Sequence, residues 1–344
     1  MCIGVGLAGA GSVARGIHVP TLSRLNDRFR LTHVMDPDEA SGQELASKLG
    51  ARASGSLDAL LADAAVEVVA VCGPDHVHAD QVIAACTAGK RAVLCEKPLA
   101  TTADEAVAIA QAAQASGTHV VVGAMHVYDP AWLAVARECD DLRRQATLIR
   151  SSIVLPFNER YENWSTEPLT RPPAAPAPLA TAAQRAARLR LRILALSIHD
   201  LPLVRSFVPE WSDSTVAATG LLDPVGYFVT MHCGDRLLEL VGSFRDHWRP
   251  RWELDVLAEQ SSLHLKFPPS YVHAGSANAT LVRGSSSHMY GHTRHDGYEN
   301  EWLHIHRLLT TGAPPQPADL DGIVDDLRFA VRIADLAHDA LAAA

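Results

Sequence analysis

The first 125 residues alternate short apolar runs with stretches of helical periodicity. The strand-like runs are Ile3–Leu7, Leu31–Met35, Val66–Val71, Ala92–Leu94 and Val120–Gly123. The stretches with helical spacing are Val13–Asn26, Ala40–Leu49, Val77–Ala88 and Ala103–Ala115. This alternation predicts parallel βαβ units, because two parallel strands need a crossover connection between them.

After residue 125 the pattern changes. Helical spacing covers 131–145 and Arg185–Phe207, and a strand-like run covers 147–155. Further strand-like runs are Thr215–Gly220, Tyr227–Cys233, Leu237–Phe244, Trp252–Ala258, Leu263–Phe267 and Ala279–Arg283, and closing helices are predicted at Glu299–Thr310 and Leu320–Ala342. Turn residues separate the short runs, which predicts an antiparallel sheet.

The chain is therefore predicted to be an α/β protein of two domains, as its 344 residues suggest. Residues 1–125 would form a doubly wound parallel sheet of the Rossmann type. Residues 126–344 would form an α+β domain with an open, mostly antiparallel sheet. The stretch Glu167–Ala182 is rich in proline and alanine, and fits either an irregular surface loop or lid or a disordered insertion.

Composition narrows the class of protein. The net charge of −9 argues against a nucleic-acid footprint or a basic membrane surface. We find no apolar run of the roughly 18 residues that a membrane helix needs. The six cysteines form no CxxC pair, so reduced thiols and a cytoplasmic location are expected.

A glycine-rich turn follows the first predicted strand. Gly9, Gly11 and Ala14 fill the pattern G-x-G-x-x-G/A, with Ser12 and Val13 between them. In dinucleotide-binding turns the first glycine permits the turn, the second lets a pyrophosphate approach, and the third position allows close packing of helix and strand. The helix N-terminus then presents N–H groups to the phosphates.

The second predicted strand ends at Asp36. An acidic side chain there can accept hydrogen bonds from both hydroxyls of the adenosine ribose and would repel a 2′-phosphate. This favours NAD over NADP as the cofactor. Alternatively, Asp36 caps the helix that begins near Pro37.

These motifs resemble those of the glucose–fructose oxidoreductase/inositol dehydrogenase family (Gfo/Idh/MocA). The matching segments are Gly6–Leu22, Val68–His78, Ala88–Ala106 with Glu96-Lys97-Pro98 at its centre, Ser197–Leu201, and the closing stretch from Tyr298. The resemblance implies a Rossmann domain followed by an open sheet that supports oligomers, here a homodimer or homotetramer. It also implies hydride transfer between nicotinamide and a carbon of a sugar, cyclitol or related small molecule.

The resemblance assigns proton transfer to Lys97 and His199. The bond between Lys97 and Pro98 would be cis. Pro74, Asp75, His78, Glu96 and Lys97 would line the cofactor, and no metal site is expected. Lysine is scarce, at four residues, which favours a special role for Lys97 over that of a surface lysine. His199 could instead be a core or capping histidine.

The sequence departs from the family pattern near His199. Relatives commonly have an aspartate four residues before this histidine, where this chain has Ala195. Three interpretations follow: the substrate is less hydroxylated or differently shaped, another group (Tyr161, His126 or Arg192) replaces the aspartate, or the catalytic role is lost. The competing functions are a redox-neutral NAD-dependent glycosidase and a non-catalytic NAD-binding regulator.

Five histidines lie between residues 288 and 306, at positions 288, 292, 295, 304 and 306. Their spacing would suit a zinc site only in a helix, which Gly291 and Gly297 disfavour. The segment is interpreted as a loop on the substrate side, with a solvated loop as the alternative.

Overall fold

The computed structural model describes residues 2–157, 159–165, 181–245, 249–291, 293–312 and 319–344. The chain divides into two compact units. The first comprises Met1–Met125 and Tyr298–Leu327, and the second His126–Gly297 and Arg328–Ala344. The proline-rich stretch lies outside the described residues as far as residue 180. No helix of the described part of the chain has the length and apolarity needed to cross a membrane.

The sequence predicted two domains, residues 1–125 and 126–344. The compact units of the structure differ from this division in the C-terminal part of the chain. Tyr298–Leu327 belongs to the first unit rather than to the second. Trp302 in this segment is fully buried. Its ring packs edge-on against His18 and Phe29, at centroid distances of 5.8 and 5.3 Å. Burial of so large a side chain stabilises the attachment of its helix to the first unit.

The first unit contains the predicted parallel sheet. Its strands are β1 (Ile3–Ala8), β2 (Phe29–Met35), β3 (Arg52–Ser54), β4 (Val68–Val71), β5 (Ala92–Glu96) and β6 (His119–Gly123), in the order β3-β2-β1-β4-β5-β6. All of the pairs are parallel. Every residue of β1, β4 and β5 is buried, as expected for strands covered on both faces.

The helices of this unit match the sequence pattern with one addition. They span Val19–Arg24 after a π-helical turn at Ala14–His18, Glu39–Leu49, Leu57–Ala62, His78–Thr87, Ala103–Ser116 and Gly297–Thr311. The helix Leu57–Ala62 and the strand β3 were not predicted. Both are too short to show a clear period.

The second unit contains an eight-stranded sheet. Its strands are β7 (Leu148–Leu155), β8 (Thr215–Leu222), β9 (Val225–Cys233), β10 (Arg236–Phe244), β11 (Arg251–Leu257), β12 (Ser261–Lys266), β13 (Asn278–Arg283) and β14 (Ser286–Tyr290), in the order β14-β13-β12-β11-β7-β10-β9-β8. The pair β7–β10 is parallel and the others are antiparallel. The predicted class, a Rossmann sheet followed by a mostly antiparallel sheet, is confirmed.

The helix predicted at Arg185–Phe207 is interrupted. Other helices at or beside this unit span Pro130–Ala136, Asp140–Gln145, Glu159–Ser165 and Leu320–Ala342. The predicted helix ends at Leu196, a 3₁₀ turn covers Ser197–His199, and Leu201–Arg205 follows. Pro202 lies in the first turn of the last piece. Because proline has no N–H for the bond to the fourth residue before it, the regular helix cannot run through this point.

Candidate functional site

The glycine-rich turn after β1 has the geometry that its sequence pattern requires. Gly9 has a φ of +117°, and a Cβ there would lie 2.9 Å from the backbone carbonyl of Cys72. At Gly11 a Cβ would meet nothing within 4 Å, so this backbone faces open space that a ligand can enter. Ser12 and Val13 are half-buried, and Ala14 is buried in the helical turn that follows.

Asp36 at the end of β2 turns its carboxylate toward this glycine-rich turn. Oδ2 accepts a hydrogen bond of 2.7 Å from the backbone N–H of Ala10, and Oδ1 accepts one of 2.9 Å from the N–H of Asp38. The helix that follows is capped by Asp38, which accepts from the N–H groups of Ala40 and Ser41. The capping role considered for Asp36 is therefore wrong. Each of its oxygens keeps a lone pair for a further donor.

Lys97 directly follows β5, and the peptide bond between Lys97 and Pro98 is cis, as predicted. The carboxyl ends of parallel strands are where α/β sheets bind ligands. The side chain of Lys97 is half-buried. Burial lowers the pKa of its ammonium group, although the negative charges of Glu96 and Asp75 oppose that change. A lysine in such a position exchanges its proton more readily near neutral pH than an exposed one.

Glu96 is held in a buried network beneath Lys97. Trp302 Nε1 donates to His18 Nδ1 at 3.2 Å, so His18 Nε2 carries the hydrogen and donates to Glu96 Oε1 at 2.9 Å. Burial alone would raise the pKa of the Glu96 carboxyl, but the hydrogen bond from His18 and the charge of Lys97 outweigh burial and lower it. Glu96 thus supplies a fixed negative charge beside Lys97. Trp302 was not anticipated from the sequence.

The loop after β4 is joined to the cis turn by His78. The two ring nitrogens of this buried side chain lie 2.7 Å from the carbonyl oxygen of Pro98 and 2.9 Å from that of Gly73. Pro74 and Asp75 between these points are exposed. The ring of His78 therefore holds two backbone segments in place, whereas Pro74 and Asp75 are open to a ligand.

The second unit contains a buried polar cluster around Asp200, which is fully buried. His126 Nδ1 lies 2.7 Å from Oδ1, Ser151 Oγ donates to Oδ2 at 2.6 Å, and Trp252 Nε1 donates to both oxygens at 2.9 Å. His126 was one of three candidates to replace an aspartate, whereas a role for Asp200 was not predicted from the sequence. Its position beside His199 in the matched segment was the available signal.

His199 lies in the 3₁₀ turn and is buried. Its ring stands edge-on to Trp252 at 5.2 Å, and its centroid is 6.2 Å from that of His126. Ala195, four residues earlier, is exposed. Lys97 belongs to the first unit and His199 to the second.

The two other candidates to replace the aspartate have different surroundings. Arg192 is half-buried and donates from Nη1 to the carbonyl of Gly226 at 2.8 Å. Tyr161 is buried, and burial raises the pKa of its hydroxyl. Of the three candidates, His126 is the one paired with a buried carboxylate among the described residues.

The histidine-rich segment does not form one loop. His288 lies on the edge strand β14 opposite Leu281, whereas His304 and His306 lie in the helix Gly297–Thr311. His292 lies outside the described residues. The described part of the chain contains no group of three or more His, Cys, Asp or Glu side chains that could hold a metal ion.

Comparison with known proteins agrees with this architecture. Residues 3–124 match the model of the Gfo/Idh/MocA family, an oxidoreductase family with an NAD-binding Rossmann fold. Inositol 2-dehydrogenase 2 of Saccharopolyspora erythraea is 34% identical over 155 residues, which are 44% of this chain and 45% of that protein. An inositol 2-dehydrogenase of Paracoccus denitrificans is 33% identical over 140 residues, 40% of this chain and 41% of its own. The chain thus matches less than half the length of these relatives.

Two solved structures share the fold over nearly the whole chain. The UDP-N-acetylglucosamine 3-dehydrogenase GnnA of Acidithiobacillus ferrooxidans has a TM-score of 0.73 at 17% identity, covering 99% of both chains. The 3-ketoreductase KijD10 of Actinomadura kijaniata, in complex with NADP and TDP-benzene, has a TM-score of 0.70 at 18% identity, covering 99% of this chain and 97% of that one.

The parallel sheet and the glycine-rich turn after β1 define a Rossmann-type fold. Over residues 3–124, the chain is similar to the Gfo/Idh/MocA family of oxidoreductases.

Proposed function

We propose that the chain is an NAD(P)-dependent oxidoreductase that moves hydride between nicotinamide and a hydroxyl or keto carbon of a sugar, cyclitol or related small molecule. The observation that carries the proposal is Lys97, which follows β5 at the ligand-binding edge of the sheet with a lowered pKa. The matched relatives named as inositol 2-dehydrogenases support the class of reaction.

The residues present fit a dinucleotide. Gly11 leaves space for a pyrophosphate beside the turn Gly9–Ala14, where Ser12 and Val13 open the helix. Asp36 offers two partly used oxygens to the adenosine ribose. Pro74, Asp75 and Lys97 would face the nicotinamide end, with Glu96 buried beside Lys97. When bound, the cofactor supplies the carbon that accepts or gives hydride.

We infer that NAD is preferred to NADP. In the proposed binding mode the carboxylate of Asp36 accepts hydrogen bonds from the ribose hydroxyls, and a 2′-phosphate there would meet a negative charge. The structurally similar 3-ketoreductase KijD10 was crystallised with NADP. The preference for NAD is therefore proposed for this chain and not for its structural neighbours.

Lys97 can carry the proton that hydride transfer requires. Oxidation of a carbinol releases its hydroxyl proton as hydride leaves the carbon, so a group within hydrogen-bond reach must accept that proton. The lowered pKa of Lys97 suits this exchange, and the charge of Glu96 beneath it limits how far the pKa falls. His78 holds the carbonyl of Pro98 and thereby the cis turn that presents Lys97. His199 stays the second candidate named by the resemblance.

The test is a panel of sugars, cyclitols and keto-sugars, with NADH followed by its absorbance, for the unaltered chain and for Lys97→Ala. We expect turnover by the unaltered chain and a loss of about 10²–10⁴ in kcat for the variant, the range for a lost general acid or base. His199→Ala should cost less. Cofactor affinity, measured by fluorescence titration, should change little.

Lys48→Ala is the matched control, because Lys48 pairs with Glu44 on the exposed face of the helix Glu39–Leu49, and its loss should leave kcat unchanged. Near-full activity of Lys97→Ala would contradict the proposed role. Release of sugar without accumulation of NADH would favour a redox-neutral glycosidase. Cofactor binding without turnover of any compound would favour a regulatory protein.

A further inference from the structure

Arg15 is a buried arginine in the helical turn Ala14–His18, directly after the glycine-rich turn Gly9–Ala14. Its side chain is 7% exposed. A guanidinium is always charged, so its burial is costly unless hydrogen-bond acceptors surround it. The proposed hydride transfer uses none of its atoms. The contacts of this side chain show what its burial achieves.

The guanidinium of Arg15 joins the glycine-rich turn to the helix Glu39–Leu49. Nε donates a hydrogen bond of 2.8 Å to the carbonyl oxygen of Ala10. Nη2 donates to the carbonyl oxygen of Ser41 at 3.1 Å, to the hydroxyl oxygen of Ser41 at 3.2 Å and to Glu44 Oε2 at 3.2 Å. A guanidinium presents its N–H groups in a rigid planar fork, so one side chain can hold both segments at a set separation.

Ala10, at the middle of the glycine-rich turn, is held from two sides. Its N–H donates to Asp36 Oδ2 at 2.7 Å, and its carbonyl oxygen accepts from Arg15. Ala10 is buried and lies between Gly9 and Gly11, whose backbones can rotate more freely than those of other residues. The two hydrogen bonds therefore restrain a segment that its own sequence leaves free to move.

The helix Glu39–Leu49 packs closely on Asp36, which completes a ring of contacts. A Cβ on Gly42 would lie 3.3 Å from the Cβ of Asp36, closer than ordinary van der Waals contact, so the glycine lets the helix approach. Asp36 holds Ala10, Arg15 holds the other side of Ala10, and Arg15 also holds the helix. Because the ring is closed, each contact limits the movement of the next.

We propose that Arg15 is a positioning residue of the dinucleotide site, which keeps the glycine-rich turn in its binding conformation before the cofactor arrives. The inference rests on the proposed function, because it takes the turn Gly9–Ala14 as the site of the cofactor's diphosphate. A site that is ordered in advance binds more tightly, since binding does not have to offset the ordering of its backbone. Arg15 therefore contributes to the affinity for a diphosphate through the position of Ala10.

The adenosine part of the cofactor depends on Arg15 much less. Asp36, which would bind the ribose, also accepts from the N–H of Asp38 at 2.9 Å, and Arg15 makes no contact with that N–H. The charge of Arg15 is offset by Glu44. The effect of Arg15 should thus be confined to ligands that carry the diphosphate.

The binding test compares ADP with adenosine by isothermal titration calorimetry. In Arg15→Met the apolar part of the side chain is kept and the donors are lost. We expect ADP to bind this variant about tenfold more weakly or worse, as for the loss of a charge-assisted hydrogen bond, and adenosine to bind within about threefold of the unaltered chain. A merely structural role of Arg15 would weaken both ligands alike.

Arg91→Met is the matched control. Arg91 also donates to a carboxylate and a backbone carbonyl, Glu67 Oε2 at 2.6 Å and the oxygen of Leu309 at 2.9 Å. It lies just before β5, at the edge of the sheet opposite to the one where parallel strands bind ligands. The affinities for ADP and adenosine should both stay unchanged in this variant.

A double variant tests whether Arg15 and Asp36 act through the same residue. Both hold Ala10, so their effects on the binding of NAD should not be independent. We expect Arg15→Met combined with Asp36→Ala to lose at least threefold less affinity for NAD than the product of the two single losses. A loss equal to that product would overturn the shared action through Ala10.

Amide hydrogen exchange of the chain without cofactor gives a readout that needs no ligand. The N–H of Ala10 should exchange about tenfold faster in Arg15→Met, because the turn opens more often, whereas the amides of β4 should change much less. Should Arg15→Met not fold, Arg15→Lys decides. Its ammonium keeps the charge but cannot span both segments as the fork does, so we expect at least a threefold loss of affinity for ADP and none for adenosine.

The outcomes separate this inference from the proposed function. Equal losses for ADP and adenosine in Arg15→Met, or unchanged exchange of the Ala10 N–H, would overturn the role of Arg15. Turnover by the unaltered chain together with full affinity of Arg15→Met for ADP would overturn that role alone. Binding of ADP that depends on Arg15, without turnover of any substrate of the panel, would support the role and count against the oxidoreductase function.

Discussion

At the scale of single residues, two aspartates determine different properties because their surroundings differ. Asp200 uses its oxygens on side-chain donors inside the second unit. Asp36 accepts one backbone N–H at each oxygen and is only half-buried, so it can still take a ligand. Asp200 therefore has its oxygens occupied by neighbouring side chains, whereas Asp36 keeps the capacity that the proposed recognition of a ribose requires.

The role of Asp36 leads to a prediction about cofactor choice. NAD should bind more tightly than NADP, because the carboxylate accepts from the ribose hydroxyls and repels a 2′-phosphate. Asp36→Ala should reduce the difference between the affinities for NAD and NADP, mainly by weakening the binding of NAD. Fluorescence titration of both cofactors against both proteins measures this.

Asp38→Asn serves as the control, since asparagine also caps the helix that begins at Glu39 and should leave the gap unchanged. Equal affinities of the unaltered chain for NAD and NADP would contradict the proposal that Asp36 selects NAD.

At the scale of elements, the helix Gly297–Thr311 shows how one buried face joins a distant segment to the first unit. Trp302, Ile305 and His304 on this helix are all buried. Burial, together with the positive charge of Arg307 and the nearby His119, lowers the pKa of His304 to about 4. Folding therefore requires His304 to stay neutral.

Stability should accordingly depend on pH through His304. The unfolded chain takes up this proton at the ordinary value of about 6.5, and the folded chain only near 4. The contribution of neutral His304 to the free energy of unfolding is complete above about pH 6.5. It is lost as the pH falls toward 4. We expect a loss on the order of 2 kcal/mol between pH 7.5 and 5, seen as a lower Tm in calorimetry.

His304→Gln should reduce this dependence on pH, because glutamine does not titrate in the range. His288→Gln, on the exposed strand β14, is the control and should behave like the unaltered chain. A decline of Tm between pH 7.5 and 5 that is the same in all three proteins would refute the assignment.

At the scale of the whole molecule, the eight-stranded sheet has an outer row of half-exposed side chains. Phe228, Val241 and Ser152 are direct cross-strand neighbours on β9, β10 and β7, and none is fully buried. Their neighbours on the opposite face, Val229, Leu240 and Ser151, are buried. An apolar surface of this kind is commonly covered by a second copy of the same chain.

We therefore expect a homodimer or homotetramer in solution. Light scattering should give at least twice the chain mass of 36.9 kDa. Val241→Lys places a charge in the outer row and should lower the mass, whereas Thr215→Lys near the start of the edge strand β8, at an exposed position, should not. A monomer mass for the unaltered chain at micromolar concentration would contradict the expectation.

Much of the fold could be predicted from local patterns. The period of apolar residues located five of the six strands of the parallel sheet, and the glycines at 9 and 11 located the turn after β1. These are properties of a few consecutive residues: the direction of side chains along a strand, or the room that a backbone needs. The cis bond between Lys97 and Pro98 was predicted through the family resemblance of the glutamate–lysine–proline motif, and the structure has it.

Tertiary structure alone decided the rest. His126 and Asp200 are 74 residues apart, and Trp252 is 52 residues beyond Asp200. The contacts among these residues depend on the register of β7 with β11 and on the helix break near Pro202. The pattern of neighbouring residues determines neither of these. The same holds for Trp302, 284 residues from His18. Sequence determined which residues could do chemistry, but only the folded chain determined their partners, because hydrogen-bond partners far apart in sequence are brought together by packing.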